Sequence, residues 1–458
     1  MNIDKVREEC GVFGIFSNKK KNVSEDVYYG LLALQHRGQE SAGISVTDRN
    51  GEKGNIQTHK GMGLVSEVFD AETLGKLKGD IGLGHVRYST TGESIISNAQ
   101  PIAMNYIKGS LALAHNGNII NAAELKETQM LRGLAHFGTT DSEVIAYEII
   151  YDRVNAGSIE EAVKRTSGKI KGGYALLIMS PRKLVGIRDP LGIKPLVLGK
   201  RGDDLILASE SAAITSVGGE LIRDVRPGEI ISISAEGVRS DLSLCTEDRA
   251  HCIFEYIYFA RCDSVMDGIE VHEARVRAGQ ALARRAPVDA DIVAGVPDSG
   301  LAAAEGYSAE SGIRFCHIFH KNSYVGRSFI KPTDRERKIA VHMKLSVLRD
   351  VVKDKRIVLI DDSIVRGNTM KEIIETLKKA GAKEVHVRIS SPPFLHPCYY
   401  GTDVPGSGEL IASEHSDMEV CEAIGADSLC YLHLEDFRTM VPGISLCTAC
   451  FDGNYPVK

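Results

Sequence analysis

The sequence predicts two domains of different class. An α+β layered sandwich should occupy residues 10–240 and an α/β domain with a parallel sheet residues 241–458. Three observations predict this. Up to about residue 235, short strand-like runs alternate with turns, and two good helices interrupt them. From about residue 250 the order becomes strand, loop, helix, strand, the pattern of parallel βαβ units. The chain also has 458 residues, 43% of them hydrophobic, more than one ordinary core organises.

The strands of the first half read GVFGIF (11–16), AGISVTD (42–48), IGLGHVRYST (81–90), LALAHNGNII (111–120), YALLIMS (174–180), KLVGIRDP (183–190), LILASES (205–211) and EIISISAEG (229–237). The helices are SEDVYYGLLALQHRG, with Ser24 as N-cap, and TDSEVIAYEIIYDRV, where Thr140 and Glu143 have capping-box spacing. In the second half, DIVAGV runs through PDSG into LAAAEGYSAE. RIVLI runs through DDSIVRGNT into MKEIIETLKKAGA and then the strand KEVHVRIS. The change of pattern falls between 235 and 250, and no internal repeat is visible.

Net charge is −6, and the run Lys19-Lys20-Lys21 is too short for a nucleic-acid footprint. There is no tryptophan, and 6% aromatics offer no base-stacking platform. No apolar run approaches the roughly 20 residues of a membrane span. The leader, residues 1–9, lacks the apolar core of a secretory signal. These features predict a cytoplasmic protein that binds neither nucleic acid nor membrane. Its ten cysteines then read as buried, catalytic or metal-binding thiols.

The clearest chemical signal is IVLIDDSIVRGNT. Asp361 and Asp362 end a buried strand, where open α/β sheets bind ligands. Residues Ser363 to Thr369 offer hydroxyls and backbone N–H groups at a helix start, a phosphate cradle. Paired carboxylates suit ribose hydroxyls and a hard cation such as Mg²⁺. VPDSG (296–300) and KNSYVGRSFIKP (321–332) are weaker signals. The first could let backbone approach a diphosphate, or be a plain turn. The second could be a lid placing Lys321 and Arg327 over phosphates, or a solvated basic loop. Asn116-Gly117 in HNGNI has the strongest short hairpin signature. Cys447 and Cys450 form a C-x-x-C, a moderate sign of metal or redox chemistry. Cys10 stands at the seam between the polar leader and the first strand.

VLIDDSIVRGNT resembles the phosphoribosyl diphosphate (PRPP) motif of type I phosphoribosyltransferases. With CIFEYIYFAR, KNSYVGRSFIKP, SPPFLHPCYYG and CTACFDGNYP, it makes the chain from Cys10 onward similar to the glutamine phosphoribosylpyrophosphate amidotransferase family. The resemblance implies an αββα sandwich of N-terminal-nucleophile hydrolase type, a glutaminase domain, followed by a phosphoribosyltransferase domain. It implies that residues 1–9 are a propeptide and that Cys10 becomes the N-terminal nucleophile. A freed α-amine, with a pKa near 8, can then act as base on its own thiol. It assigns Asn116 and Gly117 to the oxyanion, Arg87 to the glutamine carboxylate, and Asp141 with Gly138 to its ammonium.

In the second domain the resemblance assigns Ser299, Asp361 and Asp362 to magnesium. PRPP falls to Asp361, Asp362, Ser363, Ile364, Val365, Arg366, Gly367, Asn368 and Thr369, with Lys321 and Arg327. It gives Cys252, Cys398, Cys447 and Cys450 to a [4Fe–4S] cluster, although zinc suits four thiolates equally. It implies purine synthesis, feedback inhibition by purine nucleotides, and a homotetramer. LQHRGQESAG (34–43) reads as packing beside the site. Four positions depart from the family pattern: Asn368 for Thr, His342 for Arg, Ser323 for Arg and Cys262 for Pro. A hexosamine-forming amidotransferase would share the first domain but lacks a DDSIVRGNT segment. A purine-nucleotide sensor that kept the fold is the non-enzymatic alternative.

Overall fold

The computed structural model describes residues 10–49, 55–88, 93–322 and 345–458. The leader, Ser323, Arg327 and His342 lie outside the described residues. Among those described, thirteen strands of the first half form two antiparallel sheets. They are β1 (Gly11–Phe16), β2 (Ser41–Thr47), β3 (Ile56–Met62), β4 (Ile81–Arg87), β5 (Ile102–Tyr106), β6 (Gly109–Ile119), β7 (Gly172–Ser180), β8 (Lys183–Arg188), β9 (Val197–Arg201), β10 (Asp204–Ala208), β11 (Glu220–Asp224), β12 (Ile230–Ser234) and β13 (Gly237–Asp241). The first sheet runs β11-β9-β10-β1-β4-β2-β3 and the second β13-β12-β8-β7-β6-β5.

The apolar run GVFGIF is explained by burial on both faces. Val12 and Phe16 pack between the sheets with Leu83, Ala114, Leu177 and Leu207. Phe13 and Ile15 face outward onto Val27 and Leu31 of helix Ser24–Ala33. The second sheet is covered likewise, with Leu113, Leu176 and Ile178 against Ile145, Ile149 and Val163 of helices Asp141–Asn155 and Ile159–Ser167. The result is a helix-sheet-sheet-helix sandwich. β1 pairs with β10 on one side and β4 on the other, so it is a central strand.

Two expected caps are absent. Ser24 is the first helical residue, after Val23 at the cap position. Thr140 occupies the cap of helix Asp141–Asn155 without a side-chain hydrogen bond, and the reciprocal half of the box is lost because the Glu143 carboxylate accepts from Phe137 and Gly138 N–H at 3.0 and 2.8 Å.

In the second half the strands are β14 (His251–Cys252), β15 (Val265–Met266), β16 (Ile269–Glu270), β17 (Ile292–Gly295), β18 (Phe319–Lys321), β19 (Leu345–Val347), β20 (Arg356–Asp361), β21 (Glu384–Ile389), β22 (Ser428–Tyr431) and β23 (Leu446–Cys447). β17-β20-β21-β22 form a parallel sheet. Val293, Val358 and Ile360 pack on helices Val271–Arg285 and Gly300–Ser311. Ile357, Leu359, Val385 and Val387 pack on Ile373, Ile374, Leu377 and Val420 from the opposite side. Among the described residues no helix is long and apolar enough to cross a membrane.

Candidate active sites

The first site forms where β1 begins. Because β1 pairs with β4, Gly11 lies opposite Val86 and Cys10 emerges beside the end of β4. Arg87 is the last residue of that strand. Its buried guanidinium donates to Glu40 Oε1 at 2.8 Å and to the Glu93 carbonyl at 3.3 Å. The Cys10 thiol donates to the Tyr88 carbonyl at 3.5 Å. Burial pushes this thiol up to about 11; the Tyr88 backbone and Arg87 oppose the shift, and Asp141 and Glu40 add to it. Arg87, Asp141 and Glu40 thus all act on one sulfur.

Asn116 and Gly117 lie in β6, which continues to Ile119 as a regular strand, so Asn-Gly makes no hairpin here. The Asn116 amide is fully buried, and neither its nitrogen nor its oxygen has a hydrogen-bond partner among the described residues. Such a group costs free energy unless something is meant to meet it. Gly117 has φ +134°, and a Cβ there would stand 2.1 Å from the Gly173 carbonyl of β7. Close strand approach, rather than a turn, requires glycine. Asp141 opens its helix at the end of β6, where Oδ2 accepts from Ile119 N–H at 3.0 Å.

A buried polar network supports this strand. Gln100 accepts from His115 N–H at 2.8 Å and donates to Ser142 Oγ at 3.0 Å, and His115 Nδ1 lies 3.0 Å from the same hydroxyl. His85 of β4 donates through Nε2 to the His115 carbonyl at 2.9 Å, tying the two sheets together. Burial lowers His85 to about 3, so it bridges as a neutral imidazole. Gly138 joins the site through its loop. Thr139 N–H donates to Asn98, whose amide donates to the Glu93 carbonyl that Arg87 also contacts.

Sequence reasoning missed Arg37, the arginine of LQHRGQESAG. It is buried, and Nε donates to the Cys10 carbonyl at 3.1 Å. Its other nitrogens reach Glu210 Oε1 at 2.6 Å and both Glu255 oxygens at 3.0 and 2.5 Å. Burial works against the Glu210 charge, yet His36 and Arg37 hold its carboxyl well below the usual range. Glu210 also accepts from Arg261 N–H at 3.0 Å and Ser264 Oγ at 2.7 Å. Glu255 belongs to the π-helical turn Glu255–Phe259, in the second half of the chain. The segment itself was visible in sequence; its partners, 173 and 218 positions away, were not.

The second site lies at the carboxyl ends of β17 and β20. Asp362 accepts hydroxyls on both oxygens, from Ser299 at 2.5 Å and Ser363 at 2.5 Å. Asp361 Oδ1 accepts from Asp362 N–H at 2.9 Å. Ser299, Asp361, Asp362 and Ser363 are all buried. A Cβ on Gly300 would come 2.4 Å from the Ile360 carbonyl, so the small residues of VPDSG serve strand approach. Ile364 and Val365 enter the apolar cores on opposite sides of the sheet, and the Val365 carbonyl accepts from Ile411 N–H at 2.9 Å. Gly367, at φ +87°, turns the chain into helix Asn368–Lys379, which Asn368 and Thr369 open. Arg366 pairs with Glu409 at 2.5 Å, and Lys321 with Asp298.

The four remaining candidate ligands converge. Cys252 and Cys447 are register partners in the parallel pair β14–β23. Cys252, Cys398 and Cys447 pack around Ile193, Ala250 and Tyr400. Burial holds the Cys450 thiol well above its usual range, with Cys398, Cys252 and Cys447 adding to the shift. All ten cysteines are free thiols. Among the described residues no three His, Cys, Asp or Glu side chains are gathered closely enough for a single metal ion.

Comparison with known proteins finds a domain model in each half of the chain. A glutamine amidotransferase domain model matches residues 85–216, and a phosphoribosyl transferase domain model residues 268–390. The amidophosphoribosyltransferase of Methanocaldococcus jannaschii is 45% identical over 464 residues, covering 98% of each chain. That of Methanothermobacter thermautotrophicus is 47% identical, covering 98% of this chain and 95% of its own. Among solved structures, the glutamine PRPP amidotransferase of B. subtilis, complexed with ADP and GMP, superposes with a TM-score of 0.90 at 44% identity over 98% of each chain. This near-full-length similarity, together with a buried thiol site and a DDSIVRGNT loop in one chain, places the protein in the amidophosphoribosyltransferase family.

Proposed function

We propose that the chain hydrolyses glutamine at Cys10 and passes the ammonia internally to PRPP, forming 5-phosphoribosylamine, glutamate and diphosphate for purine synthesis. The coexistence of the two sites in one chain carries this reading. In the uncut chain the Cys10 nitrogen is an amide and cannot accept a proton, and burial holds the thiol near 11. Hydrolysis of the Glu9–Cys10 bond creates an amine base beside the sulfur. The amine takes the thiol proton as sulfur attacks the glutamine carboxamide carbon. Asn116 Nδ2 and Gly117 N–H stabilise the oxyanion. Its collapse, with the Cys10 α-ammonium returning that proton to the leaving nitrogen, expels ammonia and leaves a thioester, which water hydrolyses to glutamate. Arg87 holds the substrate α-carboxylate and Asp141 the ammonium, with Gly138 in the adjoining loop.

In the second domain, residues 363–369 cradle the 5-phosphate, with Lys321 on the diphosphate side; the part assigned to Arg327, outside the described residues, rests on the resemblance alone. Ammonia attacks C1 of the ribose and diphosphate leaves with the bonding electrons. Asp361, Asp362 and Ser299 would hold a hard cation at this strand end, where the carboxylate and hydroxyl oxygens suit Mg²⁺. Mg²⁺ there would neutralise the diphosphate as it leaves.

The four converging cysteines fit a [4Fe–4S] centre as structural ligands. One tetrahedral zinc ion would need sulfurs about 3.8 Å apart. Cys252 and Cys447 are register partners and Cys398 and Cys450 lie near them, a set of four thiolates that suits such a cluster. Free thiols throughout support a cytoplasmic setting. Purine nucleotides are the proposed inhibitors, as the B. subtilis complex with ADP and GMP suggests, and a homotetramer is the proposed assembly.

Intact mass, diphosphate release from PRPP, and iron and sulfide content of the purified chain test these readings. Loss of residues 1–9 and diphosphate release with glutamine or ammonia are expected. An active preparation that retains the leader would overturn the maturation scheme, and no release with either nitrogen source would favour the nucleotide-sensor alternative.

A further inference from the structure

The oxyanion strand of the first domain is gripped from the second. Gly117 lies between two backbones. On one side is Gly173 of β7; on the other is Gly401, where a Cβ would stand 3.0 Å from Gly117 C, 3.1 Å from Gly117 Cα and 3.3 Å from Asn118 N. Gly401 has φ +111°, a conformation that glycine adopts freely. The Asn118 amide donates to the Tyr399 carbonyl at 2.9 Å, across 281 positions of sequence. The gripping segment is itself braced. Tyr400 is buried, its hydroxyl donating to Val457 O at 2.8 Å and accepting from Val457 N–H at 3.0 Å. Tyr455 OH donates to the Pro397 carbonyl at 2.6 Å. A Cβ on Gly173 would meet Tyr400 Cβ at 3.2 Å, so the same segment also bears on the strand that pairs with Gly117.

We infer that Gly401, with the Tyr399 carbonyl, is a positioning element of the glutaminase reaction that sets where the Gly117 N–H and Asn116 amide point. The inference rests on the proposed role of those two groups. It means that the glutaminase site is completed by the second domain. Arg87 donates to Glu40 and the Glu93 carbonyl, and Asp141 meets the strand at Ile119, beyond Asn118, so glutamine binding should change less than oxyanion stabilisation. Donors acting only in the transition state change kcat and leave KM alone. Displacement by about 1 Å can cost on the order of 100-fold in rate. An added methyl at Gly401 forces a shift of a few tenths of an ångström, which corresponds to roughly tenfold.

Two variants test this. Gly401→Ala pushes on Gly117, whereas Asn118→Ala removes the Tyr399 tether without adding bulk. Expected are falls in glutamine kcat of about tenfold and about threefold, with KM within about twofold. The ammonia-supported reaction, which bypasses the strand, should stay within about twofold. Hydrogen exchange at residues 116–118 should quicken in both variants. This exchange reading needs no activity, so an inactive parent enzyme would sink the functional reading while still deciding this one. Unchanged exchange at 116–118, equal losses with glutamine and ammonia, or a loss confined to KM would each overturn the inference. If Gly401→Ala does not fold, Asn118→Ala decides alone.

Discussion

Replacing Arg37 by Met tests how the nucleophile is anchored. The guanidinium joins the Cys10 carbonyl to two buried carboxylates, and one of them, Glu255, comes from the second half of the chain. In Arg37→Met, Glu210 keeps its contacts to His36, Arg261 N–H and Ser264. Glu255 loses both of its guanidinium contacts, so most of the damage falls there. Removing one partner of a buried pair costs about 3–5 kcal/mol, because a charge is left without compensation. Glu255→Gln removes the charge instead and should cost about 1–3 kcal/mol. The double variant removes the guanidinium and the charge it meets together, and its cost should fall short of the sum by about 2 kcal/mol. Urea unfolding followed by circular dichroism or tyrosine fluorescence measures this cycle, since the chain has no tryptophan. Glutaminase kcat should fall in Arg37→Met as the Cys10 backbone loosens. Additivity within about 0.5 kcal/mol, or a cost for Arg37→Met below about 1 kcal/mol, would refute the reasoning.

Three further outcomes are expected. Alkylation of Cys10 should be slow at neutral pH in a protein that keeps its leader and should rise steeply toward pH 11, because burial raises that thiol and disfavours thiolate; matured protein should react rapidly near pH 8, and equal rates in the two forms would contradict the scheme. Asn116→Ala should lower glutamine kcat by about 100- to 1,000-fold with little change in KM, while ammonia still supports the reaction; steady-state kinetics with both nitrogen sources checks this. Asp362→Asn, which disrupts the acceptor of the Ser299 and Ser363 hydroxyls, should abolish diphosphate release with either nitrogen source yet leave slow glutamine hydrolysis measurable.

Much of the fold was legible in sequence because local spacing carries it. GVFGIF reads as a strand, and its unbroken apolarity already implies burial on both faces. RIVLIDD followed by a helix reads as a βα unit, with its carboxylates at the sheet edge. Local spacing misled where a distant partner competed. Glu143, at capping distance from Thr140, is drawn to the Phe137 and Gly138 amides. Asn116-Gly117, with the composition of a hairpin, stays extended because β7 pairs alongside it.

By itself the sequence determined the two domain classes, the thiol at the leader seam, the acidic strand end and the Cys447–Cys450 pair, since each depends on residues within a few positions of one another. Only the tertiary structure decided that Arg37 holds the Cys10 carbonyl, that Asn116 is buried with an amide unmet among the described residues, and that Tyr399 and Gly401 meet the strand at Gly117 and Asn118. Those contacts join positions hundreds of residues apart. They exist because two stacked sheets and a docked second domain exclude water around them, and periodicity along the chain carries no record of which distant surfaces meet.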